Sequence, residues 1–189
     1  MKGMAIIVSA PSGAGKTTVV RHLLSTVPQL EFSISACSRP RRNKESDAID
    51  YYFITAEEFR KKIGNDEFIE WQEVYPGSYY GTLKSEIDRI YADDKVPIFD
   101  VDVFGGMNLK KYFGHTALAV FIQPPSVEVL EERLRHRGSE SEESLKARLS
   151  KVDMELSFAK DFDRIIINDG LESTCTRVVE MTRDFLSIQ

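Results

Sequence analysis

Cysteine and histidine are scarce in this sequence, and their scarcity excludes two classes of small protein. Two cysteines, Cys37 and Cys175, and three histidines, His22, His115 and His136, occur among 189 residues. The two cysteines lie too far apart along the chain for a disulfide-rich scaffold. The cysteines and histidines together match no zinc-binding spacing. We therefore expect both cysteines to be reduced thiols, as in a protein of the cytoplasm.

Long apolar runs are also missing, and so is an excess of positive charge. The first apolar run, Met4 to Val8, is too short for the hydrophobic part of a signal peptide or for a membrane span. The net charge of -5 and the isoelectric point near 5.3 argue against a general nucleic-acid-binding surface. With 42% hydrophobic and 29% charged residues, the composition is that of a globular protein, and we expect no membrane and no nucleic-acid partner.

Short apolar runs alternate with helical patterns along the chain. Met4 to Val8 predicts a strand buried on both faces, followed by a small-residue loop and an amphipathic helix over about 16–27. The alternation resumes after residue 82, with strands at VPIFDVDV, TALAVFI and RIIIN and a short helix over 109–113. This pattern predicts an α/β fold with a mainly parallel, doubly wound sheet.

Two segments interrupt the alternation. One combines strand-like pieces with a helix over 56–63, whose start is marked by Thr55 and Glu58 in a capping-box pattern. The other consists of two highly charged helical stretches around Gly138. We predict a single domain over 1–189, with a core of residues 1–32, 83–131 and 160–189, a small α+β insert at 33–82 and a helical lid at 132–159.

The strongest motif is Gly13-Ala14-Gly15-Lys16-Thr17, which lies between the first predicted strand and the first predicted helix. Small residues allow backbone N–H groups to surround phosphate oxygens, and the helix N-terminus adds its positive dipole end. In such a loop the lysine reaches the β and γ phosphates, and the threonine hydroxyl reaches Mg²⁺. Ala10 stands where this motif usually has its first glycine, and its small side chain should be tolerated.

Two aspartates, Asp100 and Asp102, follow an apolar strand. Ligands of open α/β sheets bind at the carboxyl ends of the strands, so an aspartate there can hold Mg²⁺ or its water molecules. A loop with two solvent-exposed acids is the alternative interpretation. The apolar strand before them favours a functional role.

Positive charge is concentrated at residues 38–44, SRPRRNK. In an acidic protein this cluster suits a small anion better than a nucleic acid. A solvated, charged loop is the alternative that composition alone favours. The residues around the cluster are needed to decide between the two.

In its motifs the chain resembles the guanylate kinases, and the resemblance runs nearly end to end. The matching segments are APSGAGKTT, SRPRR, DYYF, EFIEW, YYGT, FDVDVFGG, PPS, ERLRHRGSESEES and IIIND. The resemblance implies a P-loop kinase that transfers the γ-phosphate of ATP to GMP with Mg²⁺, giving ADP and GDP in purine nucleotide metabolism. It implies metal contacts from Thr17 and Asp100, and ATP contacts from Ser12, Gly13, Ala14, Gly15, Lys16, Thr17, Thr18 and Asn168.

The resemblance also implies that the insert binds GMP. Arg39 and Arg42 match the arginines that grip the acceptor phosphate, and Tyr51 and Tyr80 match tyrosines that complete this grip. The base is assigned to Ser35, Glu70, Thr82 and Asp102. A carboxylate at Glu70 can accept the adjacent N1–H and N2–H₂ donors of guanine, and adenine lacks that donor pair.

Three arginines of the predicted lid, Arg133, Arg137 and Arg148, match arginines that close on the phosphates of ATP in this family. For a generic charged helix, salt bridges to neighbouring glutamates would be the preferred interpretation. With the resemblance, the catalytic residues are predicted to be Lys16, Arg39, Arg133, Arg137 and Arg148.

Two other functions stay open at this point. A kinase for another nucleoside monophosphate could use the same core. Some scaffold proteins carry a non-catalytic module of this family that binds phosphorylated peptides, but they lose the phosphate loop that is intact here. The sequence leaves a homodimer open.

Overall fold

The computed structural model describes residues 3–43, 45–136 and 142–187. A five-stranded sheet has the strand order β2-β7-β1-β8-β9, and all of its strand pairs are parallel. This arrangement confirms the predicted α/β fold with a parallel sheet. Its strands are β1 (Ala5–Ser9), β2 (Leu30–Phe32), β7 (Val96–Val101), β8 (Ala117–Gln123) and β9 (Arg164–Ile167).

Helices cover both faces of this sheet. They are α1 (Lys16–Thr26), α3 (Lys84–Ala92), α4 (Val103–Phe113), α5 (Val127–His136), α6 (Glu142–Ser157) and α7 (Leu171–Ser187), with 3₁₀ turns at Gly114–Thr116 and Ala159–Asp161. Alternate side chains of β1 enter two different cores: Ile6 and Val8 pack in one, and Ala5 and Ile7 in the other. Burial on both faces explains why this strand is an unbroken apolar run.

A second, four-stranded sheet has the order β4-β3-β6-β5. It consists of β3 (Ala36–Cys37), β4 (Tyr52–Phe53), β5 (Phe68–Tyr75) and β6 (Ser78–Leu83), and it packs with helix α2 (Ala56–Gly64). The rings of Phe59 and Phe68 stack in its small core with their centroids 4.3 Å apart. The predicted capping box of α2 is confirmed, since Glu58 N–H donates to Thr55 Oγ1 at 3.1 Å and Thr55 N–H to Glu58 Oε2 at 2.8 Å.

Helix α4 is longer than the sequence predicts. The expected helix over 109–113 begins at Val103 instead, because Asp102 caps it by accepting from Gly105 N–H at 2.8 Å. Gly106 lies within this longer helix at a close packing contact, since a Cβ there would lie 3.1 Å from the Phe162 ring. Among residues 3–43, 45–136 and 142–187, no helix combines the length and apolar character that crossing a membrane requires.

Candidate active site

A cleft of about 820 Å³ opens beyond the carboxyl end of β7, between the large sheet and the small one. Both its volume and its position at the strand ends are typical of ligand sites in open α/β proteins. Many residues singled out from the sequence line it: Lys16, Thr17, Ser35, Tyr51, Glu70, Tyr80, Asp100, Asp102 and Arg148.

The glycine loop joins β1 to α1 in a conformation that requires glycine. Gly13 and Gly15 have φ values of 94° and 98°, in the left-handed region that L side chains rarely adopt. A Cβ on Gly15 would also lie 2.5 Å from Asn168 Nδ2. Helix α1 begins directly after Gly15, so its unpaired N–H groups face the loop. Ala10 packs in the apolar core and does not have a positive φ, so this position does not require glycine.

Lys16, Thr17 and Asp100 form one group at the mouth of the loop. Lys16 Nζ pairs with Asp100 Oδ1 and donates to Val101 O at 2.8 Å. Thr17 Oγ1 donates to Asp100 Oδ2 at 3.0 Å. The structure therefore brings a cation, a hydroxyl and a carboxylate together where a phosphate loop would hold phosphate and metal. Thr18, also singled out from the sequence, is exposed in the first turn of α1.

Glu70 is nearly buried, with 8% of its surface exposed, yet its carboxylate borders the cleft. Burial raises its pKa from the ordinary 4.5 to about 7, and the nearby charge of Asp102 adds to this effect. Thr82 Oγ1 donates to Glu70 Oε1 at 2.7 Å. A group held this way gains most from a ligand that offers hydrogen-bond donors to its carboxylate.

Asp102 has a hydrogen-bond partner that the sequence did not point to. Gln72 Nε2 donates to Asp102 Oδ2 at 2.6 Å, while Asp102 Oδ1 caps helix α4. Gln72 stands two positions after Glu70 on β5, so both side chains lie on the same face of the strand and both border the cleft. The two-residue spacing was the available signal for Gln72. A Cβ on Gly105 would lie 3.6 Å from Glu70 Oε2, so glycine leaves space beside the carboxylate.

Arg39 lies beside Tyr51 and Tyr80, two tyrosines that border the cleft. Its Nη1 and Nη2 each donate to Glu45 at 2.6 Å, and its Nε donates to Tyr80 Oη at 2.9 Å. The guanidinium lies 5.1 Å from the centre of the Tyr51 ring. The hydrogen bonds from Arg39 lower the pKa of Glu45 to about 2. Glu45 was missed in the sequence, although it is the first acid after the basic cluster.

Arg42 has an exposed side chain near Arg39. Its backbone N–H donates to Glu45 Oε2 at 2.9 Å, so one carboxylate receives hydrogen bonds from both arginines. Ser35 borders the cleft and Thr82 is completely buried behind Glu70. Most of the residues predicted for the acceptor nucleotide therefore lie in or beside the small sheet, and Asp102 joins them from the end of β7.

Two arginines of the predicted lid contact the phosphate loop or the residue that supports it. Arg148 on α6 donates to the Ser12 hydroxyl, and Arg133 Nη2 on α5 donates to Asn168 O at 2.9 Å. A Cβ on Gly13 would lie 2.8 Å from Leu134, which shows how closely α5 packs on the phosphate loop. Arg137 lies outside the described residues.

Asn168 lies beneath the loop and has 3% of its surface exposed. Its Nδ2 donates to Ala14 O at 2.7 Å, and Thr174 Oγ1 donates to its Oδ1 at 3.1 Å. The side-chain amide thus supports the phosphate loop from below. In the described part of the chain, no three His, Cys, Asp or Glu residues are grouped as metal ligands.

Comparisons with known proteins agree on one family. A family model described as guanylate kinase matches residues 2–184. The chain is 46% identical to a guanylate kinase of Bacteroides thetaiotaomicron, over 99% of this chain and 92% of that protein. It is 47% identical to one of Porphyromonas gingivalis, over 96% and 97%. A crystal structure of guanylate kinase from Anaplasma phagocytophilum is 28% identical, covers 96% of this chain and 85% of that one, and has a TM-score of 0.75.

Proposed function

The chain belongs to the guanylate kinase family, whose members phosphorylate GMP with ATP, and we propose that the cleft described above carries out this transfer with Mg²⁺. The observation that carries the proposal is the arrangement of two sites in one cleft. The phosphate loop with Lys16 borders one end, and Glu70 and Tyr80 border the other. A donor and an acceptor nucleotide can therefore meet with their phosphates between them.

The donor ATP is assigned to the glycine loop and the start of α1. Backbone N–H groups of residues 12–18 surround its phosphates, and Lys16 exchanges Asp100 for phosphate oxygens. The Arg148 contact with Ser12 supports a lid arginine at these phosphates. Asn168 contributes by supporting the loop through Ala14 O.

Thr17 and Asp100 are the residues that would hold Mg²⁺. A hydroxyl and a carboxylate 3.0 Å apart are oxygen ligands of the kind that this ion prefers. Magnesium is usually bound by one or two carboxylates together with substrate phosphates, which fits a site without a larger acidic cluster. When bound, the ion neutralises charge on the phosphate oxygens of ATP.

The acceptor phosphate is assigned to Arg39, Arg42, Tyr51 and Tyr80. The Arg39 fork now holds Glu45 in a two-bond geometry that suits a phosphate equally well. Incoming phosphate would therefore replace the Glu45 carboxylate on Arg39. In this proposal the acceptor phosphate is the anion that the basic cluster at 38–44 binds.

The guanine base is assigned to Glu70, with Ser35, Thr82 and Asp102 around it. Ionised Glu70 accepts from N1–H and N2–H₂, and Thr82 holds the carboxylate in place from behind. An adenine base would leave the buried carboxylate facing an acceptor, which makes the discrimination strong.

In the transfer itself, an oxygen of the GMP phosphate forms a bond to the γ-phosphorus, and the bond from that phosphorus to the β,γ-bridging oxygen breaks. The acceptor is already an anion, so no general base is required. Lys16, Arg39, Arg133, Arg137 and Arg148 are assigned to stabilise the charge on the phosphates during this step. The two buried free thiols, Cys37 and Cys175, support a reducing compartment such as the cytoplasm.

The test is an assay of ADP and GDP formation by the purified protein with ATP, Mg²⁺ and one acceptor at a time: GMP, AMP, CMP or dTMP. We expect GMP to be the best acceptor, and we expect a chelator to stop the reaction and Mg²⁺ to restore it. Preference for another acceptor, or GMP binding without GDP formation, would contradict the proposal.

A Lys16→Ala variant provides the matched control for the phosphate loop. Removing the cation should lower turnover by about 10²-fold or more, because its charge acts on the transferred phosphate. The far-ultraviolet circular dichroism spectrum should not change. Full activity of this variant would exclude the loop as the donor site.

A further inference from the structure

Glu86 is a buried carboxylate that the proposed reaction does not use. It stands in the first turn of α3, three residues after the end of β6, and its side chain is 1% exposed. Charged side chains are seldom buried to this degree without a specific set of partners.

Four hydrogen bonds converge on this carboxylate. Its Oε1 accepts from Ile34 N–H and Arg89 Nη2, both at 3.0 Å. Its Oε2 accepts from Tyr52 Oη at 2.8 Å and from Arg89 Nε at 3.0 Å. Burial alone would raise the pKa of Glu86, but the hydrogen bonds from Arg89, Ile34 and Tyr52 lower it, so the group is ionised.

The partners of Glu86 lie where the chain passes between the two sheets. Ser33 N–H still donates to Ile98 O of the large sheet at 3.0 Å, and Ile34 follows it directly. Glu86 itself stands just after the return crossing, where β6 ends at Leu83 and α3 begins. Tyr52 belongs to β4 of the small sheet. One carboxylate thus ties the small sheet to the core beside both crossings.

Two residues of the acceptor side are direct neighbours of these partners. Ser35 follows Ile34 and Tyr51 precedes Tyr52, and both border the cleft. Tyr52 N–H also donates to Ser35 O at 2.9 Å. Any shift of Ile34 or Tyr52 away from Glu86 would therefore displace Ser35 and Tyr51 relative to Lys16 and the phosphate loop.

We propose that Glu86 is a positioning residue for the acceptor nucleotide: it holds the small sheet, through Ile34 and Tyr52, at the orientation in which GMP is bound. The inference rests on the proposed function, since it assigns GMP to the small-sheet side of the cleft. Glu86 does not touch the nucleotide, and the phosphate loop has no hydrogen bond with it in the described structure.

The experiment compares three variants, Tyr52→Phe, Glu86→Gln and Glu86→Ala, by calorimetric titration with GMP and by steady-state kinetics. Tyr52→Phe removes one hydroxyl and keeps the apolar contacts of the ring. It therefore tests the same hydrogen bond even if the Glu86 variants do not fold. We expect dissociation constants for GMP to rise about threefold for Tyr52→Phe and about tenfold for Glu86→Ala, as for lost hydrogen bonds to a charged group. Glu86→Gln should fall between the two, because an amide oxygen can still accept from Ile34 N–H.

Glu31→Gln is the matched control. Glu31 accepts from Arg89 Nη1 at 2.5 Å, so this variant removes an ion pair from the same arginine without touching Ile34 or Tyr52. Its affinity for GMP should stay within about twofold of that of the wild-type protein. For all four variants the KM for ATP should also stay within about twofold, because the phosphate loop is anchored elsewhere.

Two results would overturn the proposal. One is an unchanged affinity for GMP in Tyr52→Phe and Glu86→Gln, with only the melting temperature lowered, since Glu86 would then merely stabilise the fold. The other is an equal rise of KM for ATP and GMP. If the unchanged protein neither binds GMP nor forms GDP, the proposed function fails first, and the role of Glu86 falls with it.

Discussion

Glu70 shows how burial can prepare a single residue for a ligand. Its pKa is raised from 4.5 to about 7. Between pH 4.5 and 7, therefore, Glu70 is mostly protonated in the folded protein and mostly ionised in the unfolded chain. Stability from this group is fully present below pH 4.5 and is lost as the pH rises through about 7. The buried carboxylate therefore lowers the stability of the folded protein at neutral pH and above. This is expected for a binding site in which a ligand supplies the hydrogen-bond donors.

We predict that Glu70→Gln is more stable than the unchanged protein above pH 7. Since each pKa unit corresponds to about 1.4 kcal/mol, the gain in free energy of unfolding should approach ~3 kcal/mol at pH 8. It should shrink towards zero below pH 4.5, where Glu70 is protonated in both states. Urea unfolding at several pH values measures this difference. A gain that does not depend on pH would show that ionisation of Glu70 is not its source.

The affinity for GMP should depend on pH through the same residue. Ionised Glu70 is needed to accept from guanine, so we expect binding to strengthen as the pH rises from 6 to 8, across the pKa of about 7. The phosphate of GMP also titrates, near pH 6. The Glu70→Gln variant is the control, because it binds the same titrating phosphate. Its affinity for GMP should be weaker and should lack the part of the pH dependence that comes from ionisation of Glu70. Parallel pH profiles for both proteins would contradict the assignment.

At the scale of elements, helix α6 and the phosphate loop touch through Arg148 and Ser12. Arg148 belongs to the predicted lid, whereas most residues assigned to GMP lie in the predicted insert at 33–82. Loss of an interaction made in the transition state lowers kcat more than it weakens ground-state binding. Helix α6 should therefore matter for turnover and little for GMP affinity.

We predict that Arg148→Ala lowers kcat by about 10²-fold or more, as for arginines that stabilise transferred phosphate. Its dissociation constant for GMP should change by less than about threefold. Steady-state kinetics and calorimetry on the same preparation provide both values. An equal loss in kcat and in GMP affinity would place Arg148 at the acceptor instead.

At the scale of the whole molecule, two sheets with separate cores share one cleft. The small core around Phe59 and Phe68 is connected to the large one by two chain crossings and the Glu86 hydrogen bonds. A ligand that bridges the sheets should stabilise them together. Ligand binding to the folded state alone raises its stability by an amount set by the free concentration and the dissociation constant.

We therefore predict that GMP at a hundred times its dissociation constant raises the free energy of unfolding by about 2.7 kcal/mol. AMP at the same concentration should raise it far less, because Glu70 would lack its donors. Thermal unfolding at matched nucleotide concentrations measures both. Equal stabilisation by AMP and GMP would mean that the base is not recognised at Glu70.

Light scattering on the same samples reports whether two copies of the protein associate in solution.

The features that could be predicted from the sequence are those whose parts are close together along the chain. The phosphate loop lies in one short segment between an apolar strand and a helix, so its type and position followed from local spacing. The apolar runs of β1, β7 and β8 predicted a buried parallel sheet because such strands need no alternation. Helix α4 was predicted too short, because the cap that starts it, the hydrogen bond from Gly105 N–H to Asp102, is a contact that only the structure shows.

The sequence alone determined the class of fold, the phosphate loop and, by resemblance, the family. Only the tertiary structure decided that Glu70 is buried beside Asp102, that Gln72 and Glu45 occupy hydrogen bonds in the cleft, and that Glu86 ties the two sheets together. These contacts join residues far apart along the chain, or depend on removal from water. Burial, and with it the pKa of a carboxylate, is a property of the packed molecule and of no single segment.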